Sequence, residues 1–95
     1  MGTDQLIRER LARLAPESLE VFDDSQEHAG HAGAKQGGGH YQVMIVSAHF
    51  AGKNMIARHR LIYEALSDLM QTRIHALAIR AYAPQEMGTS AKVER

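Results

Sequence analysis

Histidines are the residues of this sequence whose type and spacing could carry chemistry: there are six in 95 residues, and no cysteine. His28 and His31 lie in a glycine-rich stretch, whereas His40 and His75 each lie at the start of an apolar run. Imidazole nitrogens bind zinc, copper, nickel and iron. Without a cysteine, the chain offers neither a thiol nucleophile nor a thiolate ligand. The histidines are therefore candidate metal ligands, and the alternative is that they are exposed loop residues and half-exposed packing residues.

Three apolar segments predict the strands that position these histidines. Residues 19–23 and 74–82 alternate in side-chain character, as expected for strands with two different faces. Residues 40–47 are apolar on both faces, which is typical of a central strand. The glycine-rich loop at 26–39 joins the first two strands, so they are expected to pair in antiparallel fashion, and the loop itself is expected to be mobile.

Two amphipathic segments predict helices. The first covers residues 4–14 and ends before Pro16, because a residue preceding proline is driven out of helical geometry. The second begins at Asn54 and leads directly into the last strand, with a possible break near its start. Its predicted inner face consists of Met55, Ile56, His59, Ile62, Tyr63, Leu66, Leu69 and Met70. A strand–helix–strand crossover is right-handed, so the last strand runs parallel to the central one.

The expected order is therefore α-β-β-α-β, an α+β domain with a three-stranded mixed sheet and the helices on one face. This topology gathers four histidines at one end of the sheet: His28, His31, His40 and His75. His49 is expected at the opposite end. His59 is expected to be a core histidine that hydrogen-bonds to the backbone.

A small basic cluster at the start of the second helix is the other candidate site. Lys53, Arg58 and Arg60 are expected to face solvent and to contact a phosphate or an acidic partner. The alternative is a solvated helix face. Eleven basic and eleven acidic residues give zero net charge, which argues against a protein whose main work is non-specific nucleic-acid binding.

Length and motifs restrict the class of protein further. Ninety-five residues form one domain with one modest core, expected at 1–84, followed by a flexible tail at 85–95. No P-loop, nucleophile elbow or dinucleotide fingerprint is present, so we expect a binding module and not an enzyme. No apolar run reaches membrane-spanning length, and the absence of disulfides favours the cytoplasm.

Several motifs in order resemble the BolA family. They are Leu19-Glu20-Val21, Asp24-Ser25, His28, Gly38-Gly39-His40-Tyr41, Val46-Ser47, Phe50-x-Gly52-Lys53, Arg58-His59-Arg60-Leu61-Ile62-Tyr63 and Ile74-His75-Ala76-Leu77. The resemblance implies an α-β-β-α-α-β domain similar to the class II KH fold. The GxxG motif between two helices, on which nucleic-acid-binding KH domains depend, has no counterpart here.

The BolA resemblance also implies a partner and a cofactor. BolA-like proteins pair with monothiol glutaredoxins and share a [2Fe–2S] cluster with the glutaredoxin and glutathione. The resemblance makes His75 one ligand and takes the second from the loop between the first two strands. His28 matches best by its place after Asp24-Ser25, and His31 lies close enough to compete. A chain without cysteine is not expected to hold such a cluster alone, because the ligands are usually thiolates.

Two further functions are compatible with the sequence. The BolA family is also associated with transcriptional regulation, which here would use Lys53, Arg58 and Arg60 to contact DNA. A third reading is a protein-interaction module whose histidines bind adventitious zinc. The protein alone is expected to be a monomer or a weak homodimer.

Overall fold

The computed structural model describes residues 2–24 and 39–87. Their elements, in chain order, are α1 (Thr3–Leu11), a 3₁₀ turn (Ala12–Leu14), β1 (Ser18–Asp23), β2 (Gly39–Val46), a second 3₁₀ turn (Ala48–Phe50), α2 (Met55–Ala65), α3 (Ser67–Thr72) and β3 (Ile74–Tyr82). The α-β-β-α-α-β order implied by the resemblance is confirmed, and β3 has the predicted bounds. Within the described ranges, no helix is both long and apolar enough to span a bilayer.

β2 is the central strand of a three-stranded mixed sheet with the order β1-β2-β3. β1 pairs with it in antiparallel fashion, so that Leu19 lies opposite Ile45. β3 pairs with its other edge in parallel fashion, and Ile79 lies opposite Val43. The predicted central strand and the predicted parallel crossover are both confirmed.

The helices cover one face of this sheet, as expected from the strand pattern. Tyr41, Val43 and Ile45 of β2 alternate inwards and are buried, since β-strand side chains project to opposite faces in turn. The helical and turn residues packed in the same core are Ile7, Leu11, Leu14, Phe50, Ile62, Ala65, Leu66 and Leu69. On the opposite face, Phe22 and Arg80 are exposed, so the sheet has one open side.

Specific local contacts fix how α1 and α2 connect to the sheet. Asn54 caps α2, since its side-chain oxygen accepts a 2.9 Å hydrogen bond from the Ala57 amide. Before it, Gly52 adopts a φ of 76°, a left-handed conformation that glycine reaches without strain. After the first 3₁₀ turn, Ala15 leaves helical geometry at φ 46° and ψ 56°, which confirms that the helix ends before Pro16.

Leu66 marks the break between α2 and α3, well away from the helix start, where a break was expected. Its φ of −103° and ψ of 12° interrupt the helix, while its side chain is fully buried. The short α3 then brings the chain back to the sheet, and only Arg73 separates α3 from β3. This break sets the direction in which β3, and with it His75, enters the sheet.

Candidate functional site

His40 and His75 lie side by side where β2 and β3 begin. Their ring centroids are 5.3 Å apart, and the ring planes are inclined by 51°. Parallel strands begin at the same end of a sheet, which is why residues 35 positions apart in sequence meet here. The predicted gathering is confirmed for these two histidines. His28 and His31 lie outside the described residues.

An irregularity in strand pairing determines where His75 is directed. Gly39 lies opposite Ile74, but His40 lies opposite Ala76, so that His75 is an extra residue in β3. Ile74 is buried and Leu77 is partly buried, whereas His75 and Ala76 between them are both exposed. Strict alternation would place His75 on the same face as Leu77, but the extra residue breaks the alternation and His75 is exposed. Such a bulge redirects a side chain, and here it brings His75 to His40.

Backbone hydrogen bonds hold the strand ends that carry the two histidines. The Gly39 amide donates to the Arg73 carbonyl at 3.0 Å, which joins the beginnings of β2 and β3. On the other edge, the Asp24 amide donates to the His40 carbonyl at 2.7 Å. The Gln42 side chain donates to an Asp24 carboxylate oxygen. Within the described residues, the strand ends that carry the pair are thus joined to each other and to the end of β1 by hydrogen bonds.

The described part of the chain supplies two neighbouring imidazoles and no larger donor set. Across residues 2–24 and 39–87, no group of three or more histidine, aspartate or glutamate side chains is arranged to hold a metal ion. A complete coordination sphere at His40 and His75 would therefore include ligands from water, from a partner or from elsewhere in the chain.

The remaining two histidines are far from this pair. His49 lies in the second 3₁₀ turn, at the opposite end of β2, as predicted. His59 lies on α2 and is only partly buried. Its Nε2 atom is buried and has no hydrogen-bond partner among the described residues, so the predicted backbone bond is missing at that atom. Its neighbours Ile56 and Tyr63 are exposed instead of packed in the core.

Arg58 does not face solvent, which corrects the predicted basic cluster. Only 6% of its surface is exposed, and its guanidinium donates to the carbonyls of Lys53 at 2.8 Å and Ala81 at 3.0 Å. It also binds both carboxylate oxygens of Glu86, each at 2.8 Å. This hydrogen bonding from Arg58, helped by the Ala83 amide, lowers the pKa of Glu86 to about 2. Arg58 is therefore a structural residue that anchors the chain after β3.

This pairing also changes the predicted boundary of the tail. Residues 84–87 are helical, and Glu86 among them is held by Arg58. Residues 85–87 therefore belong to the folded domain, while 88–95 lie outside the described residues. Lys53 and Arg60 are both exposed, as predicted, and remain candidates for contact with a phosphate or an acidic partner.

Sequence reasoning missed the Arg58–Glu86 pair and the bulge at His75. Nothing near Arg58 in sequence indicates a carboxylate partner 28 residues later. The bulge did leave a signal, because Ile74 and Leu77 are both apolar and three residues apart. An uninterrupted alternating strand cannot place both of them inside.

Comparisons with known proteins agree with this fold. The family model described as BolA-like protein matches residues 11–86. The DNA-binding transcriptional regulator BolA of Escherichia coli strain K12 is 38% identical over 86 residues, covering 85% of this chain and 79% of that protein. SufE-like protein 1, chloroplastic/mitochondrial, from Arabidopsis thaliana is 45% identical over 87 residues, covering 85% of this chain.

This chain spans only 24% of the SufE-like relative, so the likeness concerns one part of that longer protein. The solved structure of the BolA domain of SufE1 from Arabidopsis thaliana superposes with a TM-score of 0.77 at 43% identity. That match covers 90% of this chain and 98% of the solved one. By sequence and by fold, this chain belongs to the BolA-like family.

Proposed function

We propose that this protein is a non-enzymatic partner of a monothiol glutaredoxin in iron–sulfur trafficking or iron sensing. In this proposal it contributes histidine ligands to a shared [2Fe–2S] cluster. The supporting observation is the exposed His75, which a bulge directs towards His40 in a chain that has no cysteine. His75 is the first proposed ligand, and His28 or His31 is the second. The glutaredoxin and glutathione would supply the thiolates.

The donor set fits a shared cluster better than a cluster held by this protein alone. Clusters of this type take four ligands, usually thiolates, and histidine replaces cysteine where a higher reduction potential is needed. The described residues offer neighbouring imidazoles and no thiolate. Imidazole ligands also make binding dependent on histidine protonation, because only the neutral nitrogen coordinates. A protein with this donor set suits cluster transfer or sensing.

Reconstitution tests the proposal. The protein is mixed with a monothiol glutaredoxin, glutathione, iron and sulfide, and visible absorption and circular dichroism are recorded. We expect a spectrum different from that of glutaredoxin alone, and we expect His75→Ala to abolish the difference. His28→Ala and His31→Ala identify the second ligand, while His49→Ala, at the opposite end of β2, is the matched control. A mixture spectrum identical to that of glutaredoxin alone would refute the ligand assignment.

DNA binding is the second candidate. It is supported by the exposed Lys53 and Arg60 and by the similarity to the DNA-binding transcriptional regulator BolA of Escherichia coli. The proposed likeness to class II KH domains is compatible with either function. Two phosphate contacts would contribute about −2 to the slope of log affinity against log salt. Lys53→Gln with Arg60→Gln should therefore reduce the magnitude of this slope by about 2 in fluorescence anisotropy, while His75→Ala leaves it unchanged. If the slope is the same for the wild type and for the Lys53→Gln, Arg60→Gln double variant, the DNA-binding hypothesis is wrong.

A further inference from the structure

We propose that two copies of this protein associate through the open face of the sheet, with β1 of each copy lying over β3 of the other. The open face is defined by six outward side chains that line one shallow depression, namely Glu20, Phe22, Gln42, Met44, Ala78 and Arg80. The helices pack on the opposite side of the sheet, and the histidine pair is not part of this face. The inference is therefore independent of the function proposed above.

The strand register arranges the open face in rows that run straight across the sheet. Glu20 lies opposite Met44 in the pairing of β1 with β2, and Met44 lies opposite Arg80 in the pairing of β2 with β3. The central row therefore consists of an acidic, an apolar and a basic side chain. Its two charges belong to strands that are two spacings apart, roughly 10 Å between backbones.

The charges and the aromatic ring of this face have no partner within one copy. Glu20 and Arg80 are both exposed, and across residues 2–24 and 39–87 neither forms an ion pair. Phe22 is 50% exposed although it is a large apolar side chain. Arginine and aromatic side chains are enriched at protein interfaces, so these residues favour an interaction surface.

Charge complementarity identifies a second copy of the chain as the occupant of this face. A two-fold dimer uses the same patch on both copies, so that each contact occurs twice. When the two-fold axis runs parallel to β2, β1 of one copy faces β3 of the other. Each Glu20 then meets Arg80 of the other copy, and the two Met44 side chains meet at the axis.

The other two-fold arrangement of the same faces is unfavourable. With the axis in the interface plane but perpendicular to β2, each Glu20 would meet Glu20 of the other copy, and each Arg80 would meet Arg80. Like charges directly opposite each other repel. Aligned sheets cross at about 30°, which displaces charges one strand spacing from the axis by only roughly 2–3 Å, within reach of both side chains.

Side-chain size is complementary in the same orientation. Phe22 and Ala78 lie opposite the same β2 residue, so an axis along β2 places the large ring over the small methyl group of the other copy. In the row on the other side of the charges, Ser18 and Tyr82 are related in the same way. Large side chains that meet small ones fill an interface without clashes.

The size of the open face predicts a weak dimer. Three strands about 4.8 Å apart, with three outward side chains on each, present a patch of roughly 300 Å². A standard interface buries about 800 Å² on each partner, so this one belongs to the weak class. We expect a dissociation constant of about 10 μM to about 1 mM, which is measurable with a chain of this size.

Sedimentation equilibrium of the full chain at low salt, with a chelator present, tests the inference over this concentration range. The wild type should dimerise as its concentration rises. Glu20→Arg or Arg80→Glu alone should weaken the dimer by roughly tenfold or more, because each reversal turns two attractive contacts into two repulsive ones. The double reversal restores both contacts and should return the dissociation constant to within about threefold of the wild type.

Net charge requires a matched control, because each single reversal moves it away from zero and the double reversal brings it back. Glu64 is exposed on α2, on the helical side of the molecule. Arg80→Glu combined with Glu64→Arg therefore has the same net charge as the double reversal, but it leaves two carboxylates face to face. This variant should remain as weak as Arg80→Glu alone.

A second pair of variants tests the size complementarity without changing any charge. Ala78→Phe alone places two aromatic rings over each other and should weaken the dimer, whereas Phe22→Ala with Ala78→Phe should restore it. Circular dichroism verifies that every variant retains the fold. A wild type that stays monomeric throughout overturns the inference and leaves the open face to a different protein. A dimer that neither the charge reversals nor the size changes affect also overturns it, because its interface then lies elsewhere.

Discussion

At the scale of single residues, buried polar side chains stabilise the fold by hydrogen-bonding to the backbone. Arg58 was expected to offer its charge to a partner, yet its guanidinium satisfies two backbone carbonyls and one carboxylate. Removing it would leave the carbonyls of Lys53 and Ala81 without this donor, and a buried unsatisfied polar group costs about 1–3 kcal/mol. Ser47 has a similar role, because its buried hydroxyl donates to the Leu14 carbonyl at 2.6 Å and accepts from the His49 amide.

The pairing of Glu86 predicts a specific pH dependence of stability. Its pKa is lowered to about 2 in the folded protein, mainly by hydrogen bonding from Arg58. The unfolded chain has a glutamate pKa of about 4.3 and therefore binds the proton more readily. The stabilisation is complete above about pH 4.3 and is lost as the pH falls towards about 2.

Urea unfolding of the wild type and of Glu86→Gln at a series of pH values measures this effect. The difference in free energy of unfolding should be constant near neutral pH and should shrink in the acidic window. Gln85→Ala, which changes no charge at the adjacent position, should follow the wild type in its pH profile. A wild-type advantage over Glu86→Gln that stays constant down to the most acidic pH would contradict the assignment.

At the scale of elements, the apolar pattern predicts which segments pair but not where a helix breaks. Residues 74–82 alternate clearly, and β3 has these bounds. The break at Leu66 has no proline or glycine nearby to mark it in the sequence, and the Leu66 side chain is fully buried in the core. The prediction that Met55, Ile56 and Tyr63 lie on the inner face of α2 is wrong, since all three are apolar but exposed.

The left-handed residue between the first 3₁₀ turn and β1 gives a prediction about stability. Ala15 has a φ of 46°, and this conformation costs an L-residue roughly 1–2 kcal/mol relative to the right-handed one. We expect Ala15→Gly to raise the free energy of unfolding by about 0.5–1 kcal/mol, after the greater entropy of glycine in the unfolded chain is subtracted.

Ala12→Gly is the matched control, since Ala12 has ordinary helical angles with φ −59°. There, glycine should lower stability by about 0.5–1 kcal/mol. Urea unfolding midpoints of the two variants measure these changes in stability, provided that the dependence of the unfolding free energy on urea concentration is the same for both. Equal destabilisation by both changes would show that strain at Ala15 is not relieved by glycine.

At the scale of the whole molecule, β2 has a neighbouring strand on each side and the helices over one face. We therefore expect the amides of Val43 and Ile45 to exchange with deuterium only through global unfolding. Their exchange free energies should equal the free energy of unfolding measured in urea. Faster exchange at these two amides than at hydrogen-bonded amides of β1 would indicate that the sheet opens from its centre.

Topology explains how much of the candidate site could be predicted from sequence. A parallel crossover brings His40 and His75 to one end of the sheet, and this followed from the order of the elements. The contact between their rings did not follow, because it depends on one extra residue in β3. The Arg58–Glu86 pair was also missed, since it joins α2 to a segment beyond the last strand.

The position of β3 as the last strand has a consequence for the growing chain. A ribosome releases α1, β1 and β2 first, so a nascent chain that ends before residue 74 contains His40 but not His75. In that chain one edge of β2 is still unpaired, and the two-imidazole pair does not exist. The paired histidines thus form only when synthesis of the domain is nearly complete. Any ligand that needs both of them discriminates between finished and unfinished chains.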